Sequence, residues 1–236
     1  MLDPLSAFVF ATLFSLLNGE PDVRVIILGG AGSQAFSTGA DIAANRECRF
    51  VAYTNSIQSY WQQVYPGYEV TQTKLFSGQQ ATGCGTATSA VGPFYCPVDK
   101  VVYLDPSFFD QMLEGQLGAA GGDAAEAYVI AHEYGHHISN LTGVLGQVQR
   151  AGNQTGANSP QVKLELQADC YAGVWAHYAS VTKQEGTGVP FLQPLTDEDI
   201  RDALSAASSV GDDRIQQAST GRVNPESWTH GASAQR

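Results

Sequence analysis

The sequence predicts an α+β protein that is mainly α. Two long segments, Asp123 to Gly143 and Ser159 to Val181, carry helical patterning with start or stop signals at their ends. One short run, KVVYLD (Lys100 to Asp105), is the clearest strand, and Gly- or Pro-rich stretches separate the pieces. Apolar residues make up 43% of the chain and charged residues 15%, the balance of a globular protein rather than a disordered one. At 236 residues there is material for one sizeable domain or two small ones.

From the N-terminus, Leu5 to Leu17 is apolar but shorter than the roughly 20 residues of a spanning helix. It has the length of a signal-peptide core, yet the preceding MLDP carries Asp3 and no basic residue, and no clear A-x-A site follows. VRVIILGG after it could be a strand. Export, a membrane-proximal anchor and a packed N-terminal helix all stay open here, so membrane association through this segment and a cell-envelope or exported location are expectations. Residues 29–40 are rich in Gly, Ala and Ser and read as a linker, dividing the chain into an N-terminal part (1–40) and a main domain (41–236).

Ile42 to Tyr65 reads as a helix, with Val51, Ile57, Tyr60, Trp61 and Val64 at recurring positions and Pro66-Gly67 as its stop. Pro106 ends the KVVYLD strand, and Phe108 to Leu117 suggests another short helix. Asp123 and Glu126 give a D-x-x-E start for the next helix, which runs to Gly143. The loop from Gly143 to Ser159 is a connector or a lid. Ser159-Pro160 then starts a second long helix as N-cap and first-turn residue. A third begins at Thr196, with Asp199 in the capping-box position, and ends near Gly211.

Four cysteines occur and none forms a C-x-x-C pair, which argues against a cysteine zinc knuckle or a thioredoxin-like motif. Cys84 and Cys96 bracket a Gly/Pro-flanked stretch and are the favoured disulfide, with Cys48 and Cys170 as the remaining arithmetic; four reduced, buried thiols are the alternative. With 23 acidic against 12 basic side chains the formal charge is −11, and no basic cluster breaks the pattern, so nucleic acid is excluded as a partner.

The stretch AHEYGHHISN (131–140) carries the chemistry. Residues four apart on a helix lie about 40° apart around its axis, so His132 and His136 share one face and can bind one ion. Glu133, about 100° further round, sits beside that ion, where a base for a metal-bound water belongs. This is the H-E-x-x-H arrangement of zinc hydrolases. Gly135 allows another segment to approach closely. A catalytic zinc takes three protein ligands and leaves a place for water, and no histidine follows at the spacing that would supply the third. LELQADCYAG (164–173) offers Glu165 and Asp169, again four apart. Glu165 could reach the metal while Asp169 accepts the free N–H of a ligating histidine. His137 and His177 read as packing or surface residues, and Tyr134, Asp212 and Asp213 as structural.

HEYGHH followed by LELQADCYAGVWAHY, and preceded by GPFYCPVDKVVYLDPSFF, resembles the bacterial putative neutral zinc metallopeptidase family, related to gluzincins. The late segment GDDRIQQASTGRVNPESWTHGASAQR is similar to that family's C-terminal region, and members often continue beyond it. The resemblance covers roughly residues 41–236. It implies one Zn2+ per chain, held by His132, His136 and Glu165, with Glu133 as general base and peptides or proteins as substrates. It also implies a zincin-like helical core with a small β edge, the strand around Val101 to Leu104 lying over the site helix and able to pair with an extended peptide. His230, inside the matching C-terminal segment, could donate to an oxyanion. The reaction implied is hydrolysis of a peptide bond by a zinc-bound water that the glutamate activates. Two rivals come from other classes: a zinc-binding protein with a blocked cleft, and a di-iron oxidoreductase, which needs a second E-x-x-H motif that the sequence lacks.

Overall fold

The computed structural model describes residues 46–152, 154–185 and 188–236. The N-terminal apolar segment, the VRVIILGG run and the 29–40 linker lie outside the described residues. The protein is mainly α with a small β part, as the sequence predicts. Helix α1 spans Arg46–Val64, α2 Asp123–Leu141, α3 Val144–Arg150, α4 Pro160–Ala179, α5 Asp197–Ser209 and α6 Asp212–Thr220. The strands are β1 Gln72–Leu75, β2 Gln79–Thr82, β3 Gly85–Thr88, β4 Phe94–Cys96 and β5 Val101–Leu104. No helix among the described residues is long and apolar enough to cross a membrane.

Helix α2 is the axis of the fold. It packs against α1, α3, α4, α5 and β4, so it is buried on nearly every side and its apolar residues are not confined to one stripe. Phe50, Ile57, Tyr60 and Trp61 of α1, Ile130, Tyr134 and Ile138 of α2, and Leu164 and Trp175 of α4 form the centre of the core. Asp123 and Glu126 do mark the start of α2, but not by capping it. The N-cap is Gly122 at φ 91°, with no side-chain cap. Glu126 is instead buried and paired with Arg46 (2.6 Å) and Arg49 (2.9 Å), tying α2 to α1. The other start signals act by capping: Ser159 accepts from the Val162 N–H, and Thr196 with Asp199 forms a full capping box.

Strand β5 lies between β1, which it meets in parallel with Gln72 opposite Val101, and β4, which it meets antiparallel with Tyr95 opposite Val102. All four residues of β5 are buried, as the continuous apolar run VVYL requires of a central strand. The expectation that Val101 to Leu104 is an edge open to a peptide is therefore corrected: both of its sides are already paired, and β4 is an edge. The short helix expected at Phe108 to Leu117 is a π-helical turn, Phe109–Glu114.

Strands β2 and β3 form a hairpin turning at Gly83-Cys84, and a disulfide from Cys84 to Cys96 fastens the hairpin tip to the last residue of β4. A Cys48–Cys170 bridge does not form. Helices α1 and α4 touch where Trp61 meets Tyr171, at 5.7 Å between rings. Cys48 lies some 20 Å further back along α1 at about 1.5 Å per residue, beyond the roughly 7 Å between Cα atoms that a disulfide spans. The first half of the segment after Gly143 is helix α3, which buries Leu145 and Val148. Beyond α5, Gly211 separates a further helix, α6, that periodicity did not announce.

Candidate metal centre

Helices α2 and α4 cross at Gly135 and Ala168. A Cβ on Gly135 would stand 2.7 Å from the Ala168 carbonyl oxygen and 2.8 Å from its Cα, so only glycine admits this approach. The crossing brings the same-face pair of α2 against the same-face pair of α4. His132 Nε2, His136 Nε2 and one Glu165 oxygen then lie within 4.8 Å of one another, a group that could hold a metal ion.

The three separations are 3.1 Å between the two Nε2 atoms, 3.3 Å from His132 Nε2 to Glu165 Oε2 and 3.5 Å from His136 Nε2 to the same oxygen. Tetrahedral zinc with ligand bonds of about 2.0–2.1 Å places neighbouring ligand atoms roughly 3.3–3.4 Å apart. The donor set is thus spaced as that geometry requires, and its chemistry, two imidazole nitrogens and a carboxylate, is that of a zinc site.

His132 is fixed from behind. Its Nδ1 lies 2.8 Å from Asp169 Oδ1, so Nδ1 carries a proton and Nε2 faces the cleft. Burial pushes His132 down, but hydrogen bonds with Asp169 and Glu165 more than offset it and raise its pKa to about 10, so a cation that binds at Nε2 displaces a proton and leaves the ring neutral with its Nδ1–H donating to Asp169. Burial pushes Glu165 up, yet His136 and His132 hold it well below the usual carboxylate range. Asp169 is likewise held low, against its burial, by His132 and Arg236. Glu133, Glu165 and Asp169 surround two imidazoles, a field that favours a cation.

Glu133 is 7% exposed and lines the same cleft as His132, His136 and Glu165, a cavity of about 510 Å3. Phe94 and Tyr95 of edge strand β4 form one wall, and Val129, Leu145 and Leu164 are among its apolar residues. His230 also lines the cleft. Its side chain is half exposed, with Nδ1 3.5 Å from Asp212 Oδ1. The Asp212 hydrogen bond raises its pKa, against the burial that lowers it. Asp212 Oδ2 accepts the backbone N–H groups of Thr229, His230 and Gly231 at 2.7, 2.6 and 2.9 Å, which sets the His230 loop at the start of α6.

His137 takes no part in the cleft. It is fully buried, with Nδ1 3.0 Å from the Tyr95 hydroxyl and Nε2 2.7 Å from the Glu69 carbonyl, and packs α2 against β4. His177 is exposed on α4. Tyr134 is a core residue whose hydroxyl meets Thr73 at 2.9 Å. Two residues at the site were not singled out from the sequence. The Tyr128 hydroxyl donates to Asp169 Oδ1 at 2.5 Å; its position four before His132 is a signal that could have revealed it. Arg236 forks onto both Asp169 oxygens, and no local pattern signals it.

No solved structure matches the chain. It is 56% identical to protein Rv2575 of Mycobacterium tuberculosis (strain H37Rv) over 222 residues, 94% of this chain and 75% of that protein. It is 40% identical to protein YpfJ of Escherichia coli (strain K12) over 231 residues, 95% of this chain and 74% of that protein. The family model described as "Putative neutral zinc metallopeptidase" matches residues 15–236, which corrects the resemblance over roughly 41–236 by extending it into the N-terminal part. The chain belongs to that family.

Proposed function

We propose that the protein is a zinc-dependent peptidase with one zinc per chain, held by His132, His136 and Glu165. The observation that carries this reading is the spacing of those three donor atoms, 3.1 to 3.5 Å apart at the wall of an open cleft that Glu133 also lines. Bound there, zinc supplies a Lewis acid that acidifies water toward a pKa of about 7 and polarises a carbonyl.

The residues of the chain do the rest. Asp169 keeps the His132 Nδ1 proton in place, so the ring presents its lone pair to the centre. Glu133 takes the proton from the attacking water and hands it to the leaving nitrogen. His230, kept protonated further up the pH scale by Asp212, donates to the oxygen that gains charge in the transition state. The backbone edge of β4 offers an extended peptide main-chain hydrogen bonds along the cleft. The Cys84–Cys96 bridge supports an exported or cell-envelope location, since such bonds persist in oxidising compartments.

The test pairs metal analysis with a peptide-cleavage screen. Purified wild type should hold one zinc, Glu165→Ala should lose or weaken it, and Glu133→Gln should keep it while cleaving peptides roughly 100- to 10,000-fold more slowly. A wild type without zinc would sink the metal reading. Full activity in Glu133→Gln would remove that residue from the role of base. Stoichiometric zinc with no cleavage of any peptide would favour a non-catalytic zinc-binding protein.

A further inference from the structure

The Arg236 side chain is 2% exposed, the fate of few arginines. Its Nε donates to Asp169 Oδ2 at 2.9 Å and one terminal nitrogen donates to Asp169 Oδ1, also at 2.9 Å. That same nitrogen reaches the Tyr128 hydroxyl at 3.3 Å and lies 3.4 Å from His132 Nδ1. A guanidinium has donors and no acceptor. Nδ1 of His132 therefore cannot give its proton to Arg236 and has only Asp169 Oδ1 as acceptor in this group.

Three separate elements converge here. Tyr128 comes from α2, Asp169 from α4, and Arg236 from the segment after α6. That segment is held firmly: Asp213 Oδ1 accepts the Ser233 N–H at 2.7 Å, Asp212 donates its backbone N–H to the Gly231 carbonyl at 2.8 Å, and Arg236 donates its own to the Ala232 carbonyl at 3.3 Å. Tyr128 and Arg236 also stand between the metal cleft and a second cavity of about 600 Å3 behind it, lining both. Asp169 lines that second cavity. With the guanidinium in place, both carboxylate oxygens are engaged by planar, directional donors. Without it, Asp169 keeps only the Tyr128 hydroxyl and His132 Nδ1, both on Oδ1, and Oδ2 is left to turn toward the rear cavity.

We propose that Arg236 is a positioning residue of the metal centre: it clamps Asp169 in the orientation that keeps the His132 Nδ1 proton in place and Nε2 aimed at Glu165 and His136. The inference rests on the reading of His132, His136 and Glu165 as zinc ligands. Arg236 acts through Asp169 and not on substrate, so its effect is read in the affinity for the metal as well as in turnover. The planar fork is the operative feature. A lysine, a point charge with no fork, would engage one oxygen and leave the carboxylate free to rotate.

The experiment measures zinc Kd by competition with a chromophoric chelator on the full chain, for wild type, Arg236→Ala, Arg236→Lys, Asp169→Asn and the Arg236→Ala/Asp169→Asn double variant. Melting curves of the zinc-free proteins serve as the folding control. Arg236→Ala should weaken zinc roughly 10- to 100-fold, the usual cost of losing such an orienting group, and Arg236→Lys should recover only part of it. The double variant should bind zinc no more than twofold worse than Asp169→Asn alone, because the arginine acts through that carboxylate. A merely structural arginine would instead multiply the two losses, and that result overturns the proposal, as does an Arg236→Ala Kd within twofold of wild type. If Arg236→Ala does not fold, Arg236→Lys decides: several-fold weaker zinc at an unchanged melting temperature supports the clamp, and unchanged affinity overturns it. A wild type that binds no zinc overturns the metal reading itself, which no comparison among variants could mimic.

Discussion

Gly135 of α2 lies so close to Ala168 of α4 that a methyl group on it would enter the space of the Ala168 carbonyl, at 2.7 Å. This contact sets the distance between the two helices that carry the five acid and imidazole groups of the centre, His132, Glu133 and His136 on α2 and Glu165 and Asp169 on α4. His132 and His136 lie three residues before and one after Gly135, and Glu165 and Asp169 three before and one after Ala168. The crossing point is thus the centre of the donor set.

Gly135→Ala should push the helices apart, costing roughly 1–3 kcal/mol by overpacking and weakening zinc in the same variant. Gly173→Ala is the matched control: it lies in α4, where a Cβ meets nothing within 4 Å, and removing a helix glycine should stabilise by up to about 1 kcal/mol. Thermal melts and zinc competition on both variants check this. Equal effects from the two would show that the close approach does not matter.

The ion pair of His230 with Asp212 gives the cleft a pH dependence of its own. Asp212 raises the His230 pKa above its ordinary value of 6.5, so the stabilisation is complete below pH 6.5 and is lost as pH rises through the raised value. On the acid side, burial pushes Asp212 up, but the His230 contacts pull it below its ordinary 3.8. That contribution is present above pH 3.8 and is lost as pH falls through the lowered value. An NMR titration of His230 should show the raised midpoint in wild type and a fall toward 6.5 in Asp212→Asn. The same midpoint in both proteins would remove Asp212 as the cause.

The Cys84–Cys96 bridge ties the β2–β3 hairpin to the end of β4, the edge strand along the cleft. Replacing both cysteines by serine should cost about 3 kcal/mol, as expected for a closed loop of this order. Because the loosened element is β4 and not α2 or α4, KM for peptides should rise several-fold while zinc affinity stays within twofold. Zinc loss without a change in KM would place the effect of the bridge at the metal centre instead.

Much of the site was legible from helical periodicity, for a local reason. Four residues make slightly more than one turn, so spacing alone puts His132 with His136, and Glu165 with Asp169, on one face each. The caps at Ser159 and Thr196 were readable because a cap joins groups only three residues apart. By the same logic the Tyr128 signal, four residues before His132, was there to be read.

What periodicity cannot carry is contact across long stretches of chain. The strand Val101 to Leu104 shows its apolar run in the sequence, but only the pairing with β1 on one side and β4 on the other makes it central and gives β4 the edge. Glu126 sits where a capping residue belongs, yet two arginines about 80 residues earlier claim it. Cys48 and Cys170 form a plausible pair by count and are kept apart by where along its length α1 meets α4. Arg236 reaches Asp169 across 67 positions and His132 across 104. The sequence by itself determined which groups share a helix face, because backbone geometry repeats every few residues. Only the tertiary structure decided which faces meet, because that follows from close packing such as Gly135 on Ala168, and a distant arginine enters the centre only once those faces have met.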